Sequence, residues 1–378
     1  MVSSRMASIH ESTTMKISAM AKKLASEGLD IIDMGVGEPD FDTPKHIVEA
    51  GCSSIRNGQT HYSPAVGIPE LRAAVAEKLR RDNSLNVKAD DVTITPGAKM
   101  AVFAAIQALL QEDDECVLIG PSWVSYEPCV AFAGASVSWA NVNDRFLPQD
   151  LAGAINSKTK LILVNSPSNP TGSVFGRKVL EEIRDLAVDH NLFVISDEIY
   201  EKIIYDNKHI SIGSMPGMGE RTVTINGFSK AYAMTGWRLG YLTGPKDIMK
   251  WVNRLLSHSV SQATTFVQHA GVAAIRGPQA EVASMVAEFR VRRNLLVEGL
   301  RNMGIPCSMP GGAFYVFPDV SQYGGGDAFT SRLLKDALIA ATPGSAFGPG
   351  GGNYIRLSYA TSQNRIKQAL QRIETMLR

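Results

Sequence analysis

The chain has 378 residues, 44% of them hydrophobic and 20% charged, with a formal net charge of +1. This is ample for a globular core, and it leaves no field to draw in nucleic acid or an anionic membrane surface. No run reaches the ~18 apolar residues of a membrane span, Met1–Ser8 lacks a signal-peptide core, and Cys52, Cys116, Cys129 and Cys307 have no disulfide or zinc spacing, so a soluble cytoplasmic protein without a metal is expected.

Residues 12–29 carry helical spacing, with Ile17, Met20, Ala21 and Leu24 on one face and Gly28 as a stop. A short strand at Ile31 runs into the loop Gly35-Val-Gly-Glu-Pro-Asp-Phe-Asp-Thr-Pro44. A helix is expected to follow, with Thr43 as its N-cap. After a second loop, His61 to Pro69, an amphipathic helix covers Glu70 to Arg81. Val92-Thr-Ile-Thr reads as a strand, Pro96-Gly-Ala-Lys99 as a turn, and Met100 to Gln111 as an apolar helix.

The alternation continues. Apolar strands at Cys116–Ile119, Leu161–Asn165, Leu192–Ser196 and Val223–Ile225 are separated by helical segments such as Val179–His190. Unbroken apolar strands alternating with helices predict an α/β fold, a mostly parallel sheet covered by helices on both faces. Ligands of such sheets bind beyond the carboxyl ends of the strands. Gly97–Lys99, Trp123, Asn169, Asp197, Tyr200 and Lys230 all fall at such ends.

Past Gly244 the pattern changes to long helices at 246–256, 265–276 and 279–303. Then come Pro310-Gly-Gly-Ala-Phe-Tyr-Val-Phe, a helix near 327–340, a strand Tyr354–Tyr359 and a final amphipathic helix. We expect a large domain at 41–284 and a smaller α+β domain made from both chain ends, 1–40 and 285–378. The Gly-rich run Gly348–Gly352 lacks the Lys-Ser/Thr of a phosphate-binding P-loop.

Each chemical signal has an ordinary alternative. Lys230 follows a strand and the Asn226-Gly227 turn; alone it reads as a surface lysine, but burial would make it a nucleophile able to form a Schiff base. Gly97, Ala98 and Lys99 open a helix whose N-terminus suits an anion, and Arg238 offers a fork for a phosphate. Asp197 ends a buried strand and needs a partner, either a salt bridge or a cationic ring N–H. Trp123 is placed to stack on a flat ring, and Asn169 and Tyr200 to bond a ring hydroxyl. Arg356 sits among apolar residues, a costly place unless it holds a carboxylate. One ligand with a phosphate, a pyridine, an aldehyde and a ring hydroxyl answers all of these, which describes pyridoxal 5′-phosphate.

Asn169-Pro-Thr-Gly, Asp197-Glu-Ile-Tyr and Phe228-Ser-Lys followed by Gly236-Trp-Arg-Leu-Gly-Tyr stand in an order that resembles the fold-type I pyridoxal-phosphate aminotransferases of class I/II, the aspartate-aminotransferase-like superfamily. The resemblance covers nearly the whole chain. It implies that Lys230 forms the Schiff base and moves the proton, with Asp197 on the pyridine nitrogen and Asn169 and Tyr200 on the ring oxygen. Ala98, Lys99, Ser229 and Arg238 fall at the phosphate, although Gly227 stands where some subgroups place a phosphate-binding serine. Trp123 would stack on the ring, and Arg356, Asn169 and Gly37 would hold the substrate carboxylate. Tyr62 resembles a tyrosine donated to the neighbouring subunit's phosphate, implying a homodimer.

The expected reaction is amino transfer between an L-amino acid and a 2-oxo acid in two half-reactions. A β-elimination on the same fold is the alternative. A non-catalytic regulator ranks last, since it would need a DNA-binding extension before residue 30. Gln107, in the first apolar helix, predicts a neutral side-chain pocket open to aromatic donors, with Phe314 and Tyr315 lending apolar surface.

Overall fold

The structure, a computed structural model, describes Met6 and residues 13–378, so the rest of Met1–Ser8 and the expected helix start at residue 12 lie outside it. The first helix runs Thr13–Ser26 and buries Ala21, whereas Met20 is 55% exposed. The inward stripe is centred on Ile17, Ala21 and Leu24, and Met20 falls off its edge.

After β1 (Ile32–Asp33), the apolar runs become β2 (Val92–Thr95), β3 (Glu115–Ile119), β4 (Ser136–Ala140), β5 (Thr159–Asn165), β6 (Phe193–Asp197), β7 (Thr222–Gly227) and β8 (Gly240–Thr243). These seven, from β2 onward, form one sheet in the order β2-β8-β7-β6-β5-β3-β4, in which only β8 runs against the rest. Leu161 and Leu163 of β5 enter one core with Leu118, Ile195 and the helix Ala98–Leu109. Ile162 and Val164 enter the other, with Val117, Val194 and the helix Arg177–Asp189. Both faces are covered, so both sets of side chains are apolar. Each fully buried Leu or Ile contributes roughly 1.5–3 kcal/mol.

Parallel crossovers bring the carboxyl ends of β5, β6 and β7 to one edge, at Asn165, Asp197 and Gly227. Against that edge lies a second assembly, comprising β9 (Tyr315–Val316), β10 (Ile339–Ala340), β11 (Thr342–Pro343) and β12 (Ile355–Ser358). Here β1 pairs with β10 in parallel, and β11-β12-β9 form an antiparallel sheet. Their core holds Phe289 and Leu296 of the helix Ala280–Asn302 and Ile366 and Ile373 of the helix Gln363–Leu377. Ile199 and Tyr200 reach into it from beyond β6.

Local pattern misled in two places and left two strands, β4 and β8, unread. The helix expected over 327–340 spans Gly325–Asp336; Leu338 adopts φ 54° and turns the chain so that Ile339 pairs with Ile32. Thr43 does not cap the helix Lys45–Arg56; Pro44 holds that position, and the Thr43 hydroxyl donates to the Ala233 carbonyl at 2.7 Å. The edge strand β4 is only partly buried, which hides its apolar signal. β8 is antiparallel and packs against the turn before the helix Ala98–Leu109, an approach that only Gly240 permits: a Cβ there would lie 2.4 Å from the Ala98 nitrogen. Gly240→Ala should therefore cost about 1–3 kcal/mol and lower the urea midpoint.

Candidate active site

A cavity of about 380 Å³ opens at the carboxyl ends of the parallel strands. Its lining includes Gly37, Ala98, Lys99, Trp123, Asn169, Asp197, Tyr200, Ser229, Lys230, Arg238 and Arg356, residues scattered over the chain yet expected to act together. Gly97 stands just behind them. Tyr62 is 92% exposed and lies away from this chain's cavity.

Lys230 follows the end of β7, and its Nζ donates to the Gly37 carbonyl at 2.5 Å. Burial pushes its pKa down to about 8; Arg356 and Arg238 press the same way, while Glu38 and Asp197 oppose. Asp197 closes β6 and is 4% exposed. Its Oδ2 accepts from the Tyr126 hydroxyl at 2.7 Å and its Oδ1 from the Ile199 N–H at 3.2 Å. No salt bridge reaches it among the described residues, and burial pushes its pKa up to about 6.

Arg356 sits on β12, 3% exposed, over the rings of Tyr315 (4.6 Å to the centroid) and Phe347 (5.1 Å). It donates to Asn169 Oδ1 at 3.0 Å and to the Gly35 carbonyl at 2.5 Å. Its Nε has no partner, and no carboxylate pairs with it among the described residues. At the other end, Gly97 (φ 81°) precedes the helix Ala98–Leu109, whose first N–H groups have no partner within the helix. The Arg238 guanidinium lies against Gly97, where a Cβ would sit 2.6 Å from its Nη2. Arg238 itself holds φ 53°, an uncommon conformation for a residue with a Cβ. Lys99 Nζ lies 5.0 Å from the Trp123 ring centroid, without an ion-pair partner among the described residues.

The donor set fits a phosphorylated pyridine aldehyde: an anion cradle, an open aromatic face, a lone buried carboxylate and a lysine of lowered pKa. Sequence reasoning missed Tyr126, which holds Asp197, and Asn165, whose Nδ2 donates to the Asp197 carbonyl at 3.0 Å. It took Tyr315 for apolar surface only, whereas the Tyr315 hydroxyl meets that of Tyr200 at 2.8 Å. Gln107 was misplaced. It does not line the cavity, and its Nε2 donates to the Cys129 carbonyl at 2.9 Å. One helical turn after another carries it away from the helix start, where Lys99 faces the cavity.

The family model for aminotransferase class I and II matches residues 29–373. The chain belongs to this family. It is 42% identical over 378 residues to a probable aspartate aminotransferase of Methanocaldococcus jannaschii, covering 98% of each chain. It is 39% identical to aromatic-amino-acid aminotransferase 2 of Thermococcus litoralis, covering 99% of this chain and 98% of that one. A solved aspartate aminotransferase from Thermus thermophilus with maleate superposes at a TM-score of 0.96 with 40% identity, covering 100% of this chain and 99% of that one. The protein is thus a transaminase of a pyridoxal-phosphate-dependent class, and its sheet with the appended smaller assembly is that of fold type I.

An amine reacts only when neutral, so trace acetylation of Lys230 in cofactor-free aminotransferase should rise with a midpoint near pH 8. Exposed lysines should titrate near ~10.4 in the same mass-spectrometric experiment. A Lys230 midpoint at the exposed value would refute the burial argument.

Proposed function

We propose that pyridoxal 5′-phosphate occupies this cavity and that the named residues carry amino transfer between L-amino acids and 2-oxo acids. The observation behind it is the convergence on one cavity of Lys230 with its lowered pKa, Asp197 with no cation and Arg356 with no anion. Ala98 and Lys99 N–H groups, Ser229 and Arg238 would hold the phosphate, with Trp123 against the ring and Asn169 and Tyr200 at its hydroxyl. When bound, the cofactor supplies an aldehyde for the amino nitrogen and a ring that takes up the electron pair left at the α-carbon.

The chain supplies position and charge. Asp197, held by Tyr126, keeps a proton on the ring nitrogen. Lys230 is poised near neutrality, as a general base should be, and takes and returns the α-proton. Arg356 orients the substrate carboxylate with Asn169 and the Gly37 segment. Exposed Tyr62 is offered to a second copy, making a homodimer with shared sites. We also divide the chain into a large unit, 41–284, and a small one, 1–40 with 285–378, supported by their separate cores. No described helix is long and apolar enough to cross a membrane. The free cysteines, three of them buried, support a reducing, cytoplasmic setting.

Borohydride reduction should abolish a near-visible absorbance band and leave the cofactor on Lys230. Lys230→Ala should bind cofactor yet lose nearly all turnover in half-reactions with an amino donor. Normal rates in that variant would remove Lys230 from the mechanism.

For substrates, Lys99 is the cation placed to meet a second carboxylate, and relatives named for aspartate support that choice. Lys99→Met should then lower kcat/KM for aspartate by about ten- to a hundredfold. Phenylalanine, with no second carboxylate, should lose less than about threefold. Equal losses for both, with weaker cofactor binding, would assign Lys99 to the phosphate alone.

A further inference from the structure

Tyr315 touches three parts of the cavity at once. Its hydroxyl lies 2.8 Å from that of Tyr200, its ring carries the Arg356 guanidinium 4.6 Å from the centroid, and a Cβ on Gly37 would come within 2.8 Å of its oxygen. Both tyrosines are almost fully buried, at 0% and 3% exposure. Their hydroxyls have each other as side-chain partner, and one proton lies between them. Its direction matters, because a hydroxyl that receives a bond from its neighbour has its own proton free to give elsewhere.

The surroundings decide that direction. Burial raises the pKa of both hydroxyls and Arg356 lowers both, but its guanidinium lies over the Tyr315 ring at 4.6 Å. Tyr200 instead has the Lys230 ammonium 6.0 Å from its ring centroid and faces the Asp197 carboxylate, which opposes loss of its proton. Tyr315 is therefore the stronger acid of the pair, and the stronger acid donates. We infer that Tyr315 donates to Tyr200 and so turns the Tyr200 proton into the cavity, toward the oxygen on the ring. This rests on the cofactor reading above. Tyr315 is a positioning residue: it acts through Tyr200, and it links that hydroxyl to the arginine that would hold the substrate carboxylate.

The near-visible band of the purified holoenzyme reports the proton that the ring oxygen shares. A donor to that oxygen favours its anionic form and lowers the midpoint of the absorbance titration. Tyr315→Phe should raise the midpoint by about half to one pH unit. KM for amino donors should change less than about twofold, since the ring beneath Arg356 remains. Tyr200→Phe should raise the midpoint further, and adding Tyr315→Phe to it should have no additional effect. 3-Fluorotyrosine at position 315, a stronger acid of nearly the same size, should lower the midpoint and guards against a folding defect in Tyr315→Phe. An unchanged or lowered midpoint in Tyr315→Phe, additive shifts in the double variant, or a rise with fluorotyrosine would each overturn the inference. A parent enzyme with no near-visible band would instead overturn the cofactor reading, and this inference with it.

Discussion

Asp197 and Arg356 are 4% and 3% exposed, and neither forms an ion pair among the described residues. Burying an unpaired charge is expensive, and folded proteins tolerate it where a ligand completes the pair. Much of the cavity follows from that constraint. Under the proposed function the carboxylate would meet a cationic ring, the guanidinium a carboxylate, and the helix start with Arg238 a phosphate. Lys230 lies between them with part of its proton affinity already removed by burial.

Such placement needs rigid support, and the segment after β6 supplies it by facing two ways. Asp197 and Tyr200 look into the cavity, while Glu198 and Glu201 look back into a buried polar network. Glu198 accepts from Ser196 at 2.9 Å and meets His209 at 2.9 Å; Glu201 pairs with Lys78 and accepts from Asn83 at 2.6 Å. Burial would lower the His209 pKa, but Glu198 and Glu201 together outweigh it and hold it above the ordinary value. Glu198, Glu201 and His209 are close enough to suggest a metal, yet Glu201 is already paired with Lys78 and Glu198 with His209. Charges on the back of the segment are matched, so only those on the cavity side await a partner.

The two assemblies divide the chemistry. Lys230, Asp197 and the start of the helix Ala98–Leu109 stand at the edge of the large sheet, whereas Arg356 and Tyr315 come from the antiparallel strands packed against it. Gly37 joins them: its carbonyl receives Lys230, and its lack of a side chain admits the Tyr315 hydroxyl. Under the proposed function, substrate recognition and proton transfer would thus meet at a seam between cores, where a small displacement would be felt by both.

Sequence by itself determined the parallel central strands of the sheet, because strands buried on both faces must be apolar along their length and glycine or proline must end them. It also determined the strand-end positions of Asn169, Asp197 and Lys230, since those residues sit beside punctuation that local chemistry makes readable. Tertiary structure alone decided what those residues touch. Tyr126 reaches Asp197 across 71 positions and Tyr200 meets Tyr315 across 115, distances over which no local period carries information. It also turned Gln107 away from the cavity and left Lys99 facing it. A helix's own periodicity shows which residues share a face, but only the packing of that helix against the sheet decides which face meets the ligand.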